Sequence, residues 1–295
     1  MRTPESQADM DTHDFKTHTA TRLAKQAAFI ASDGALLAAT VVAVRAAGDA
    51  MLRRFDTATR TPDDLRDLVR AIHANDDASL AVLRPLLTQA RPGARWVEDE
   101  LEGGALPAGE WWLVDAVEGN VNHVHGLAEW GVSATLIRDN APVLTAIYEP
   151  VAQRLHSALR GGGAAWLNGV PMRASTKTEL RAAIVATGQA KPGESEATWR
   201  RLGVSITAML RAALVVRATV PATFQLAQVA AGQIDGFWQY SNVRSGQAAG
   251  ALLVAEAGGI VTDLRGEPWT LASDDFLACA PGIHGEFVDA LREVA

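Results

Sequence analysis

Trp112-Leu113-Val114-Asp115-Ala116-Val117-Glu118-Gly119-Asn120-Val121-Asn122-His123-Val124-His125-Gly126 is the stretch on which the reading of this chain turns. The apolar run Trp111 to Val114 has the composition of a short buried strand, and it delivers Asp115 at its C-terminal end. A second carboxylate, Glu118, follows after two residues, and then a glycine. Two acids so spaced on a turn can converge on one hard cation, with the Val117 carbonyl between them as a third oxygen ligand. Mg²⁺ prefers such oxygen donors in octahedral geometry and keeps several waters. Upstream, Glu98-Asp99-Glu100 ends another short strand and offers further carboxylates.

Working outward, the N-terminal side reads as helical. Apolar residues recur at helical spacing from Thr21 to about Thr57, in one helix or two. Thr61-Pro62-Asp63-Asp64 has the form of a helix start, with Thr at N-cap and Pro at N1, leading a helix towards His73. Asp77 to Gln89 is a further helical stretch in which Pro85 predicts a kink or a first turn. Arg91-Pro92-Gly93 is a turn. Beyond the acid pair, Trp130–Ile137 and Val143–Tyr148 alternate as strands around the turn Asp139-Asn140-Ala141-Pro142. Leu155–Leu159 is a strand, Gly161-Gly162-Gly163 a flexible turn and Asn168-Gly169 a hairpin turn. The second half alternates strand and helix. Strands are expected at 183–187, 214–218, 234–240 and 260–264. Helices are expected around 196–201, at 223–231 and at 247–257, the last closed by Gly258-Gly259.

The whole composition fits this. Of 295 residues, 48% are hydrophobic and 21% charged, enough to build a globular core. The formal net charge of -7 disfavours non-specific nucleic-acid binding. Cys279, the single cysteine, cannot form an internal disulfide, and its "FLACA" setting marks a core strand. Residues 1–20 carry no targeting signal and read as a frayed tail. The apolar segment Ala35–Ala47 is short for a bilayer and is interrupted by Arg45. The expectation is a cytoplasmic protein with no membrane span.

With these residues in place, the chain resembles the inositol monophosphatase family of Mg²⁺-dependent, lithium-sensitive phosphatases. The family pattern is a Gly-Glu-Glu segment, then Trp-(apolar)₂-Asp-Pro-(Ile/Leu)-Asp-Gly-Thr-x-Asn, then Trp-Asp-x-Ala-Ala-Gly near the C-terminus. The matching stretches are "WWLVDAVEGNVNHVHG", "GGGAAWLNGVPMRAS" and "SGQAAGALLVAEAGGIVTDLRGEPW", within about Asp63 to Ala295. The resemblance implies a layered α-β-α-β-α sandwich, with an N-terminal α+β lobe to about Pro150 and an α/β lobe over 151–295. It also implies a Mg²⁺ cofactor, a homodimer, and a phosphate ester of a small polyol or related metabolite as substrate. Carried over position by position, Glu98 matches a metal-binding Glu with a catalytic role, Asp115 the Asp that bridges two metals, and Val117 a carbonyl ligand. Glu118 stands at the family's second Asp. Asp76 or Asp77 lies near the Asp that helps activate the attacking water. Gly119, Asn120, His123, Gln239 and Arg244 fall among substrate-lining positions.

The departures bear directly on activity. Asn120 stands where the family has Thr, and an amide orients water without relaying a proton as a hydroxyl does. Ala116 replaces Pro, and Glu118 is one methylene longer than Asp. Ser245-Gly246 replaces Trp-Asp, so one ligand of the second metal is missing. Gln239 and Val243 stand where Glu and His often occur, and Val220-Pro221-Ala222 replaces Gly-Ser/Thr-Ala. His123 and His125 are either hydrogen-bonded imidazoles or new acid/base groups. Arg244 is either ion-paired or a substitute for the lost cation. The glycines at 161–163 lack the Lys-Ser/Thr of a phosphate-binding loop, and Trp111, Trp112 and Trp130 read as core. Three functions follow: a weakened or altered phosphomonoesterase positioning water with Asn120 and Asp76 or Asp77; a non-catalytic binding or regulatory member; or a repurposed enzyme built on His123, Glu118 and Arg244.

Overall fold

The computed structural model describes residues 32–55, 62–99, 102–190, 193–241 and 243–294. The first helix, α1, spans Ser32–Leu52, and α2 spans Leu65–Ala90. A seven-stranded sheet follows in sequential order: β1 Arg95–Trp96, β2 Glu110–Glu118, β3 Gly131–Arg138, β4 Ala141–Glu149, β5 Arg154–Leu159, β6 Ala165–Leu167 and β7 Val170–Met172. A one-turn helix, α3 Asn120–Val124, leaves the end of β2. Strand β1 runs parallel to β2, and every later pairing is antiparallel.

The second sheet interleaves strands with helices: β8 Ile184–Thr187, α4 Glu196–Ala212, β9 Val215–Ala218, α5 Ala222–Ala230, β10 Gly236–Gln239, α6 Arg244–Glu256, β11 Ile260–Thr262, β12 Phe276–Cys279 and α7 His284–Leu291. Its order is β11-β12-β10-β8-β9, with β8, β9 and β10 parallel.

The pleat sorts side chains into layers. On β3 and β4, Val132, Ala134, Leu136, Leu144 and Ala146 face α1 and α2. From the other face Ile147 packs with α5 and α6. These two helices also cover one face of the second sheet through Phe237, Phe276 and Ala278. Trp238, Leu277 and Cys279 point the opposite way, against Met209 of α4 and Phe287 of α7. The result is the expected α-β-α-β-α order. Cys279 is fully buried, and burial pushes its thiol up to about 12.

Several local expectations need correction. The division at Pro150 falls inside the first sheet, which continues to Met172; the change of sheet comes between Met172 and Ile184. The two helices expected over 64–89 are one. The apolar stripe lapses at Asn75 and Asp76 because there α2 faces the polar α3 rather than the sheet. Pro85 lies inside this helix, and its N-cap is Asp64, whose carboxylate accepts from the Asp67 amide at 2.8 Å. Thr61 lies outside the described residues, as does the tail expected over 1–20. Asp115 is not at a strand end: β2 runs through Glu118, with a register shift between the two acids. Helix α6 starts at Arg244 rather than Gln247.

Helix α1 has the length and hydropathy of a membrane-crossing segment. Here it is the outer layer of the fold. Leu36, Ala43, Val44 and Ala47 pack on the sheet, and the buried Asp33 accepts from both terminal nitrogens of Arg138 at 2.9 Å.

Candidate active site at the junction of the two sheets

Four elements meet at this junction. Strand β2 brings Asp115 and Glu118, α2 brings Asp76, and the starts of α5 and α6 bring Thr223 and Gly246. Ser79 of α2 fixes the bulge by donating its hydroxyl to the Ala116 carbonyl at 2.6 Å. The Val117 amide donates to Asp115 Oδ1 at 3.1 Å. Gly119 has φ 68°, and a Cβ there would come within 2.7 Å of the Glu129 carbonyl. Its left-handed conformation turns the chain from β2 into α3.

Glu118 is the centre of the arrangement. It is 3% exposed. Ser133 Oγ donates to its Oε1 at 2.8 Å and Thr223 Oγ1 to its Oε2 at 2.9 Å. It also hydrogen-bonds the Asp115 side chain, and burial holds its carboxyl above the usual range. A Cβ added at Gly246 would lie 2.6 Å from Thr223 Oγ1. The Thr223 hydroxyl therefore fills the space that a side chain at 246 would enter.

Mg²⁺ needs several convergent oxygen ligands with lone pairs turned to one point. Among the described residues no three carboxylate, imidazole or thiol groups converge closely enough to hold a metal ion. Glu98, expected as a metal ligand and catalytic group, is exposed and belongs to no such group. Both Glu118 oxygens are engaged by hydroxyls, and position 246 offers no side chain. The residues present do not fit the two-metal centre expected of Glu98, Asp115, Val117 and Glu118.

The water-positioning pair is partly assembled. Asn120 Nδ2 donates to Asp76 Oδ1 at 2.7 Å and to the Ile72 carbonyl at 3.0 Å. Asn75 Nδ2 donates to Asn120 Oδ1 at 2.9 Å. Both amide protons of Asn120 are thus spent inside the protein, leaving only acceptor capacity for a water. Desolvation raises the Asp76 carboxyl to about 6 against the lowering effects of Asn120 and His73, while Asp77 adds to the rise. Of the two candidate acids, Asp76 is therefore the one at the site; Asp77 is exposed.

The other expected site residues are held by contacts within the protein. His123 sits among Phe55 and Trp130, with ring centroids 5.4 and 4.6 Å away. Its Nδ1 lies 3.1 Å from Asn75 Nδ2 and its Nε2 3.3 Å from the Met51 carbonyl. Those partners assign a neutral Nε2–H tautomer, and burial lowers its pKa. Arg244 is 5% exposed, with the acids Asp99 and Glu102 near enough to favour its charge. It donates to the carbonyls of Gly103, Gly104 (3.2 Å) and Asp99 (3.5 Å), pinning that loop to the start of α6. Gln239 is buried against Gly188, with its Oε1 unpaired and its Nε2 3.5 Å from the Gln189 carbonyl.

Sequence reading passed over Asn75, Ser79, Ser133 and Thr223. Ser133 carries a signal, since a polar residue in a largely apolar strand demands a partner. Thr223 carried none before its neighbour Gly246 was placed.

The sequence and the fold both have known relatives. The Inositol monophosphatase family matches residues 33–295. The chain is 30% identical to the inositol-1-monophosphatase of Rhizobium meliloti (strain 1021) over 261 residues, covering 88% of this chain and 96% of that one. It is 31% identical to the Nus factor SuhB of Escherichia coli (strain K12) over 262 residues, covering 88% and 96%. The solved extragenic suppressor protein suhB of Bartonella henselae superposes with a TM-score of 0.72 at 26% identity, covering 88% of this chain and 99% of that chain. An inositol monophosphatase from Anabaena superposes with a TM-score of 0.72 at 25% identity, covering 89% and 96%. The chain belongs to the inositol monophosphatase family.

Proposed function

We propose that this chain is a binding or regulatory member of its family that has given up two-metal phosphate-ester hydrolysis. One observation carries the reading: Glu118, at a family metal-ligand position, is buried with one oxygen on Ser133 and the other on Thr223. Thr223 in turn fills the space beside Gly246. The usual second-metal pocket is thereby replaced by a hydrogen-bonded plug. Relatives named Nus factor SuhB match this chain at about the same identity as those named inositol-1-monophosphatase, so a role of the kind the Nus-factor name denotes is open to this chain as well. The acidic balance goes with a partner other than nucleic acid. A cytoplasmic homodimer is part of the same reading.

A second reading is a weak Mg²⁺-dependent phosphomonoesterase of small phosphorylated polyols. The Asp76–Asn120 pair, with Asp76 raised to about 6, favours it as a surviving water-activating element. Hydrolysis of inositol 1-phosphate and of a panel of small phosphate monoesters, with and without Mg²⁺, separates the two. The expected result is no Mg²⁺-dependent turnover above that of Asp115→Asn. Turnover that requires Mg²⁺ and disappears in Asp115→Asn would establish the second reading instead.

A further inference from the structure

At the far end of α6 from the junction lies a cavity of about 450 Å³. It is enclosed by the β3–β4 turn, the residue following β5, the second half of α6 and the segment after β11. Its lining on α6 begins five residues beyond Gly246, at Ala251, roughly 7.5 Å along the helix axis. It is therefore separate from the Glu118 plug.

Its walls are mostly apolar: Pro142, Leu252, Val261 and the Trp269 indole. The indole is fixed edge-on against Phe276, with centroids 5.3 Å apart at 76°. Two charged residues line it, and they are not equivalent. Glu256 is fully used, its Oε1 accepting from the Gly161 amide at 2.7 Å and its Oε2 from the Gly163 amide at 3.0 Å. This carboxylate gives the Gly161–Gly163 turn its shape. Arg160 has no such employment. Its backbone amide donates to the Val143 carbonyl at 2.8 Å, but its guanidinium makes no hydrogen bond or close ion pair among the described residues. Desolvation lowers its pKa, opposed by the attraction of Glu256 and helped by the repulsion of Arg138. Arg160 is exposed at the mouth of this groove, and its guanidinium is available to an anion that enters beside the apolar walls.

We propose that this cavity is a second ligand site, specific for a small amphipathic anion with a flat apolar body and a carboxylate that pairs with Arg160. A guanidinium presents two parallel N–H groups that match a carboxylate. The apolar walls and the Trp269 face take the body, and the volume lies within the range of small-molecule sites. The site stands whether or not the junction hydrolyses anything.

2-Naphthoate is the probe, with neutral 2-naphthamide as its isostere, titrated calorimetrically into the full chain. Saturable binding below millimolar is expected for the carboxylate, at least tenfold weaker for the amide. Arg160→Gln should bring the carboxylate down to the amide's affinity, and Ala255→Phe, which fills the cavity from α6, should abolish binding of both. Circular dichroism establishes that both variants fold. No saturable binding at millimolar 2-naphthoate, equal affinity for the amide, or binding unchanged in Arg160→Gln would overturn the proposal.

Discussion

At the scale of single residues, the account rests on Glu118, Thr223 and Gly246. Restoring the family's carboxylate by Gly246→Asp alone is expected to destabilise the fold by about 1–3 kcal/mol, because the new Cβ drives into the Thr223 hydroxyl. Pairing it with Thr223→Ala removes that contact, so urea denaturation of the double variant should show less loss than the sum of the two single changes. Strict additivity would mean that the two positions do not compete for the same space. Asp76 makes a separate prediction. Its carboxyl titrates near 6 when folded, against 3.8 for the ordinary group. The folded state therefore holds a proton that the unfolded chain gives up between these values. That contribution is present at low pH and is lost as pH rises through about 6. Asp76→Asn should flatten this limb, gaining stability relative to the parent as pH rises from about 4 to about 7. Parallel stability profiles would show that Asp76 is not desolvated.

At the scale of elements, much was legible. The turn at Asp139-Asn140 has both residues at positive φ, 48° and 63°, as its Asp/Asn composition implies; the strands on either side pair around it, but both are buried on both faces rather than alternating. Gly258, at φ 85°, ends α6 where the Gly pair placed it. The misses share a cause, since a position's partner decides its meaning and the partner is distant in sequence. Asn75 and Asp76 looked like a break between helices because their partner, Asn120, lies on α3, more than forty residues away. Arg244 looked like a ligand-binding cation because the carbonyls it holds, at 99–104, are some 140 residues upstream. The spacing of Asp115 and Glu118 suggests a shared cation, yet spacing alone does not show that hydroxyls occupy Glu118. The tie between α1 and the first sheet can be tested directly. Arg138 reaches both Asp33 and Glu110, and Glu110 also accepts from Arg91 at 2.6 Å. Arg138→Met leaves Asp33 buried without this partner and should cost about 3 kcal/mol in denaturant unfolding. Asp33→Asn combined with Arg138→Met should cost less than Arg138→Met alone; a double variant as unstable as the sum would contradict the pairing.

For the molecule as a whole, the layered fold is kept and its shared junction is closed from within. The same α6 that supplies Gly246 at one end carries Leu252, Ala255 and Glu256 at the other, so one helix spans a plugged junction and an open cavity. If the junction holds no metal, as proposed, folding stability owes nothing to a divalent ion. The thermal midpoint is expected to be the same in Mg²⁺ and in EDTA, since an ion that bound only the folded state would raise it. The most direct measurement of the central claim is a calorimetric titration of Mg²⁺ into the metal-free protein, beside the triple variant Glu118→Asp, Thr223→Ala, Gly246→Asp. The account predicts no binding by the parent at millimolar Mg²⁺, and measurable binding once the plug is removed and the carboxylate restored. Saturable binding by the parent that Asp115→Asn abolishes would contradict it and return the junction to metal chemistry.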